Sequence, residues 1–201
     1  MRFAINGFGR VGRTLLRVYA SREDARAKLT LAAINEIADA DTVVHLARYD
    51  SNYGRYPGAI ARAASSLVID QRSVPLSHVA EVARLPWQQH QIDLVLECTG
   101  AFTDRITAEQ HLHAGASRVL FSQPAESDVD ETIVYGVNSD SLSAEMTVVS
   151  AASCTTNAVV PVLATLSHAV GIEAATITTI HSLMNDQPVL DAYHHTDLRK
   201  T

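Results

Sequence analysis

Cys154 and His181 are the residues of this sequence best equipped for nucleophilic chemistry. Cys154 sits in the run Ala151-Ala152-Ser153-Cys154-Thr155-Thr156-Asn157, just after an apolar segment that reads as a strand. The segment Ala158 to Leu163 then reads as a helix, with Pro161 expected to distort its early turns. A cysteine at a helix N-terminus meets unpaired N–H groups and the positive end of the helix dipole, which favour thiolate. His181 closes a β-branched run from Ala174, 27 residues after Cys154. Strand ends and helix starts share one edge of an α/β sheet, so a Cys–His pair there can exchange a proton. Spacing alone also permits a plainer assignment, a small core cysteine and a hydrogen-bonded strand-end histidine.

A second constellation stands at the start of the chain. Gly7-Phe8-Gly9-Arg10-Val11-Gly12 fits G-x-G-x-x-G, follows a short apolar strand and opens a helix-period segment. The first glycine suits a tight turn, the second a close approach of pyrophosphate, and the third close packing of helix on strand. Glu36 lies 24 residues beyond Gly12 at the end of the next strand. Its carboxylate can accept from ribose hydroxyls and would repel a 2′-phosphate, which favours NAD over NADP. The remaining candidates carry less. Cys98 lies in an apolar strand and reads as core. His111 and His113 are two apart on a helix and point to different faces, so no metal site is expected. His194-His195 reads as a polar turn.

The elements that must position these residues alternate regularly. Phe3–Ile5 reads as a strand, Val11, Leu15, Val18 and Tyr19 as one face of a helix, and Leu29–Ile34 as a second strand, together a βαβ unit. Ile92–Cys98 is a further strand. Thr107-Ala108-Glu109-Gln110 fits a capping box for a helix that stops at Gly115. Strands are expected at Arg118–Ser122, Thr132–Val137, Met146–Ser150 and Ala174–His181, whereas 62–83 offers only weak strand signals. The pattern implies an α/β fold: a Rossmann-type, mainly parallel sheet with helices on both faces. A dinucleotide-binding domain over 1–152 is expected, followed over 153–201 by the start of an incomplete α+β catalytic domain, because about 50 residues make too small a core.

Composition bounds the function classes. The chain has 201 residues, 47% of them apolar, and a net charge of −6. That balance disfavours a nucleic-acid binder, which needs a basic surface. No apolar run reaches the length of a membrane helix. Two cysteines make no disulfide scaffold, so a cytoplasmic protein is expected.

Several segments together resemble the glyceraldehyde-3-phosphate dehydrogenase family. They are Ile5 to Arg13, Tyr49-Asp50-Ser51, Gly54-Arg55, Glu97-Cys98-Thr99-Gly100, Tyr135 to Asn138, Ala152 to Asn157, Thr178 to Ser182 and Asn185-Asp186-Gln187. The resemblance spans the chain, and Ser-Cys-Thr-Thr-Asn is its most specific motif. It implies NAD as cofactor, with Arg10 and Val11 giving backbone contacts to the pyrophosphate and Glu36 at the adenosine ribose. Thr99, Gly100 and Ser122 would border the nicotinamide side. Cys154 would be the nucleophile toward a sugar-phosphate aldehyde and His181 the base, with Ser153, Thr155 and, less directly, Lys200 as substrate contacts. Within the family, Asn35-Glu36, Leu120-Phe121-Ser122, His181 to Met184 and Asp191 to His194 look most like the branch that oxidises erythrose 4-phosphate on the route to pyridoxal phosphate. Met184 stands where the glyceraldehyde branch usually has threonine, and Lys200 where the family usually has arginine. Relatives are homotetramers that continue well past Thr201, so a truncated chain is expected, and the alternatives are a phosphorylating glyceraldehyde-3-phosphate dehydrogenase or a non-catalytic NAD-binding fragment.

Overall fold

The computed structural model describes residues 1–182. In chain order the elements are β1 (Arg2–Asn6), α1 (Arg10–Ser21), α2 (Glu23–Lys28), β2 (Thr30–Asn35), α3 (Ala40–Arg48), β3 (Tyr49–Asp50), β4 (Gly54–Arg55), β5 (Ile60–Ala63), β6 (Ser66–Ile69) and β7 (Arg72–Ser77). They continue with α4 (Trp87–His90), β8 (Leu94–Glu97), α5 (Arg105–His113), β9 (Arg118–Phe121), β10 (Glu131–Thr132), β11 (Val148–Ser150) and α6 (Cys154–Val170). A nine-stranded sheet runs β10-β11-β9-β8-β1-β2-β7-β6-β5, while β3 and β4 pair separately. Every pairing from β10 across to β7 is parallel, and only β6 and β5 join antiparallel.

Strand order reverses between β1 and β8: the chain builds outward from β1 through β2 to β7, then returns to β8, β9 and β11. This is the doubly wound arrangement, and it opens a crevice at the carboxyl ends of β1 and β8. Alternation along the strands fills two layers. Phe3 and Ile5 pack with Leu16 of α1 and Val43 and Val44 of α3 on one face. Ala4 and Val95 pack with Trp87, Ile92 and Leu85 on the other, and Ala108 of α5 meets Val119, Phe121 and Val148 further along. Each fully buried side chain such as Ile5 or Phe121 contributes about 1.5–3 kcal/mol. Among the described residues no helix is long and apolar enough to cross a membrane.

Three expectations need correction. The helix at 105–113 is capped by Asp104, whose carboxylate accepts from the Thr107 N–H at 2.8 Å, not by Thr107. Thr107 in turn donates its hydroxyl to Asp104, so the cap lies one turn earlier than the Thr107–Gln110 pattern suggests. The strand expected at Thr132–Val137 stops at Thr132, because Asn138 takes its backbone groups. The Asn138 side chain accepts from Val134 N–H and donates to Thr132 O, and the chain turns through Gly136. The strand expected at Ala174–His181 is not formed. It has no ladder with any described strand, and Ile177 and Ile180 are exposed. β-branched composition suits a pleated surface only where a neighbour covers it. Lys200, Met184 and the His194-His195 turn lie outside the described residues.

Candidate active site

The glycine loop lies directly on the β8 turn. Gly7 has φ +86°, and a Cβ there would stand 2.6 Å from the Thr99 nitrogen and 2.7 Å from the Cys98 carbonyl carbon. A Cβ on Gly12 would meet the Gly7 oxygen at 2.3 Å. Both glycines are therefore demanded by packing of the chain on itself. Gly9 differs: a Cβ there would meet nothing within 4 Å among the described residues, which leaves open space above it.

The start of α1 supports the same conclusion. α3, α5 and α6 have side-chain caps from Asp39, Asp104 and Ser153, whereas α1, like the short α2 and α4, has none; Gly9 stands at its head, and its first turn contains no acid. Arg10 and Val11 are exposed there, with Arg10 Nη1 3.8 Å from Asp50. An uncapped, acid-free helix start beside an open glycine is suited to an anion. Glu36 reaches back over the loop. Its carboxylate accepts from the Phe8 N–H at 2.7 Å and the Ala38 N–H at 3.0 Å. A carboxylate offers about four acceptor positions, so two remain for ribose hydroxyls. These residues fit a dinucleotide: the Gly9–Val11 N–H groups would hold its pyrophosphate and Glu36 its ribose.

Thr99 and Gly100 are exposed on the opposite wall of the crevice. Thr99 donates its backbone N–H to buried Glu97 at 2.9 Å and its hydroxyl to the same carboxylate oxygen. Ser122 follows β9, its N–H donating to Glu97 O at 3.0 Å. The hydroxyl of Ser122 donates to Gln123 Oε1 at 2.8 Å.

Cys154 is the first residue of α6, and the turn before it is tightly held. Ala152 adopts φ +60°, rare for a residue with a side chain, and is buried. Its N–H donates to Ser150 Oγ at 3.0 Å, and Ser150 Oγ donates to Gln123 O at 2.8 Å. Asn157 donates to the carbonyls of Ala151 and Ser153 at 2.7 and 2.9 Å. The Ala151 N–H donates to Phe121 O, which ties this turn to the same sheet edge as Ser122. Ala152 and Asn157 belong to the motif around Cys154 but carry no role there, and Ser150 stands outside it; the structure gives all three the task of holding this turn.

The Cys154 sulfur lies 3.1 Å from His181 Nε2. His181 Nδ1 lies 2.6 Å from the Ser182 carbonyl oxygen, which can only accept, so Nδ1 carries a proton and Nε2 faces sulfur. The hydrogen bond to His181 lowers the Cys154 pKa more than partial burial raises it, and the Thr155 hydroxyl and N–H lower it further. The structure thus joins the expected pair although the strand expected to deliver His181 is absent. Ser153 spends its hydroxyl on the α6 cap, accepting from the Thr156 N–H at 2.9 Å. Cys98 is buried, and burial pushes its thiol up to about 12, consistent with a core role. Among the described residues no group of metal-ligating side chains is present.

Two family models match the chain. The glyceraldehyde 3-phosphate dehydrogenase NAD binding domain matches residues 1–105, and the glyceraldehyde 3-phosphate dehydrogenase C-terminal domain matches residues 153–201. The first match alone spans more than half of the sequence and contains the glycine loop, Glu36 and the Thr99 turn; the chain therefore belongs to the glyceraldehyde 3-phosphate dehydrogenase family of NAD-dependent oxidoreductases, and NAD is its cofactor.

Proposed function

We propose that this protein oxidises the aldehyde of a sugar phosphate, D-erythrose 4-phosphate, to 4-phospho-D-erythronate through a covalent intermediate on Cys154. The observation that carries the chemistry is the 3.1 Å contact between Cys154 Sγ and His181 Nε2, with His181 oriented by Ser182 O. A thiolate there adds to the aldehyde carbon and gives a thiohemiacetal. His181 takes the hydroxyl proton as the carbon loses hydride, and the product is a thioester. NAD supplies the hydride acceptor when bound. Water then attacks the thioester with His181 as base, which releases the acid and restores the thiolate. Overall, aldehyde, NAD+ and water give carboxylate, NADH and two protons.

The residues supporting roles in this reading are Gly7, Gly9, Arg10, Val11 and Gly12 at the pyrophosphate, Glu36 at the ribose, and Thr99, Gly100 and Ser122 toward the nicotinamide. Thr155 stands at the reacting sulfur, and Ser153 and Lys200 are read as substrate contacts. Residues 1–152 are read as the cofactor unit and 153–201 as the beginning of the catalytic unit, in a cytoplasmic homotetramer. The choice of erythrose 4-phosphate rests on sequence: Met184 offers no hydroxyl for a phosphate ligand beside Asn185-Asp186.

The test is NADH formation from erythrose 4-phosphate and NAD+ with and without inorganic phosphate. Turnover that does not need phosphate, with 4-phosphoerythronate as product, is expected. Turnover of glyceraldehyde 3-phosphate that requires phosphate and yields an acyl phosphate would instead make this a phosphorylating enzyme.

A further inference from the structure

Beneath the cofactor crevice runs a chain of buried hydrogen bonds that the chemistry above does not use. Trp87, the sole tryptophan, donates its indole N–H to His111 Nδ1 at 2.9 Å, and His111 Nε2 lies 3.0 Å from Glu97 Oε2. All three side chains have zero exposure. An indole can only donate, so Nδ1 accepts and the ring proton must sit on Nε2, aimed at Glu97. Asn6 donates to the same Glu97 oxygen at 2.6 Å, and Thr99 donates both its N–H and its hydroxyl to the other. Four donors converge on one side chain, and only a carboxylate accepts from all of them. Asn6 also accepts from Asn35 at 2.8 Å, which carries the network to β2.

Apolar side chains would fill this space at lower desolvation cost. What the polar chain does is join the two walls of the crevice. Through Thr99 it fixes the β8 turn, and through Asn6 the strand that leads into Gly7, whose backbone rests against Thr99. We propose that Trp87, His111 and Glu97 are positioning residues for NAD, a relay that holds the Thr99–Gly100 turn in register with the glycine loop. The inference rests on the cofactor and is independent of which aldehyde is oxidised.

Four variants of the protein test it, with NAD+ affinity by calorimetry, KM for NAD+ against KM for aldehyde, and melting temperature. Glu97→Gln replaces one acceptor by a donor and is expected to raise the NAD+ Kd and KM by about tenfold or more, with KM for aldehyde changed by less than about twofold. Trp87→Phe releases the His111 tautomer and should raise both NAD+ constants by a smaller factor. His111→Gln retains one acceptor and one donor, and should keep more affinity than His111→Ala. Unchanged NAD+ affinity alongside a lowered melting temperature would reduce the relay to a core element and overturn the proposal. If the variants do not fold, the indole N–H resonance of Trp87 in the unsubstituted protein decides: NAD+ should shift it, and no shift on saturation would overturn the proposal.

Discussion

The two cysteines of this chain stand in opposite environments, and their reactivity should divide accordingly. Cys154 is exposed, and the His181 hydrogen bond holds its pKa below that of an ordinary thiol. Cys98 is buried and pushed up to about 12. Iodoacetamide should therefore label one cysteine, Cys154, with a rate that reaches half its maximum below the ordinary thiol value of about 8.5. Replacing His181 by Asn removes the main cause of the shift, so the midpoint should rise toward the ordinary value. A peptide map with both cysteines labelled, or a midpoint unmoved by His181→Asn, would contradict this assignment. The glycine loop makes a parallel prediction. Gly12→Ala places a Cβ 2.3 Å from a carbonyl oxygen and should destabilise the fold, whereas Gly9→Ala meets open space. Gly9→Ala should leave the melting temperature nearly unchanged and weaken NAD+ binding by about tenfold or more, since its Cβ would occupy the space a pyrophosphate takes. Equal effects of the two substitutions on stability would refute the distinction. Both motifs could be read from the sequence because their residues are local. Glu97, Asn6 and His111 could not, because the partners lie 91 and 14 residues apart and meet only through the sheet.

Caps and ties between elements account for the places where pattern and structure part. Asp104-Arg105-Ile106-Thr107 and Thr107-Ala108-Glu109-Gln110 both offer an oxygen to an N–H three residues on, and the helix starts at the earlier one, where aspartate is the better cap. Asp104→Ala should cost about 1 kcal/mol in urea unfolding, the usual value of a lost N-cap. Asp130 performs a longer-range tie. Its carboxylate accepts from the Thr147 and Val148 N–H groups at 2.7 and 2.9 Å and from Arg105 Nη1 at 2.7 Å. Burial raises the pKa of Asp130, but the Val148, Arg105 and Thr147 hydrogen bonds outweigh it and bring it to about 2. A carboxyl depressed in the folded state stabilises above its unfolded pKa of about 3.9, and that contribution fades as pH falls toward about 2. The stability gap between the parent and Asp130→Asn should be full at pH 7 and narrow steadily across that acid window. A gap independent of pH would show that the charge of Asp130 is not what the tie requires. The Ala174–His181 run shows the limit of composition: β-branched residues mark a segment able to join a sheet, while strand formation needs a partner to supply the ladder.

The doubly wound topology was readable because each switch between alternating and helix-period residues marked one crossover, and crossovers make strands parallel. The weak 62–83 stretch was not readable in the same way. It supplies β6 and β7 through an antiparallel hairpin and closes one side of the sheet. That topology delivers three things to one edge: an open glycine loop, an acid tied to it, and a cysteine at a helix start. Only the last needs a partner from outside the sheet, and His181 is that partner. The most direct test is a rapid acid quench of the full-length protein mixed with NAD+ and erythrose 4-phosphate. The NADH formed in the first turnover is compared with the mass of the peptide containing Cys154. A phosphoerythronyl adduct on Cys154, appearing in step with NADH and absent from Cys154→Ser, is the expected result. NADH formed at full rate by Cys154→Ser would contradict covalent catalysis at this residue.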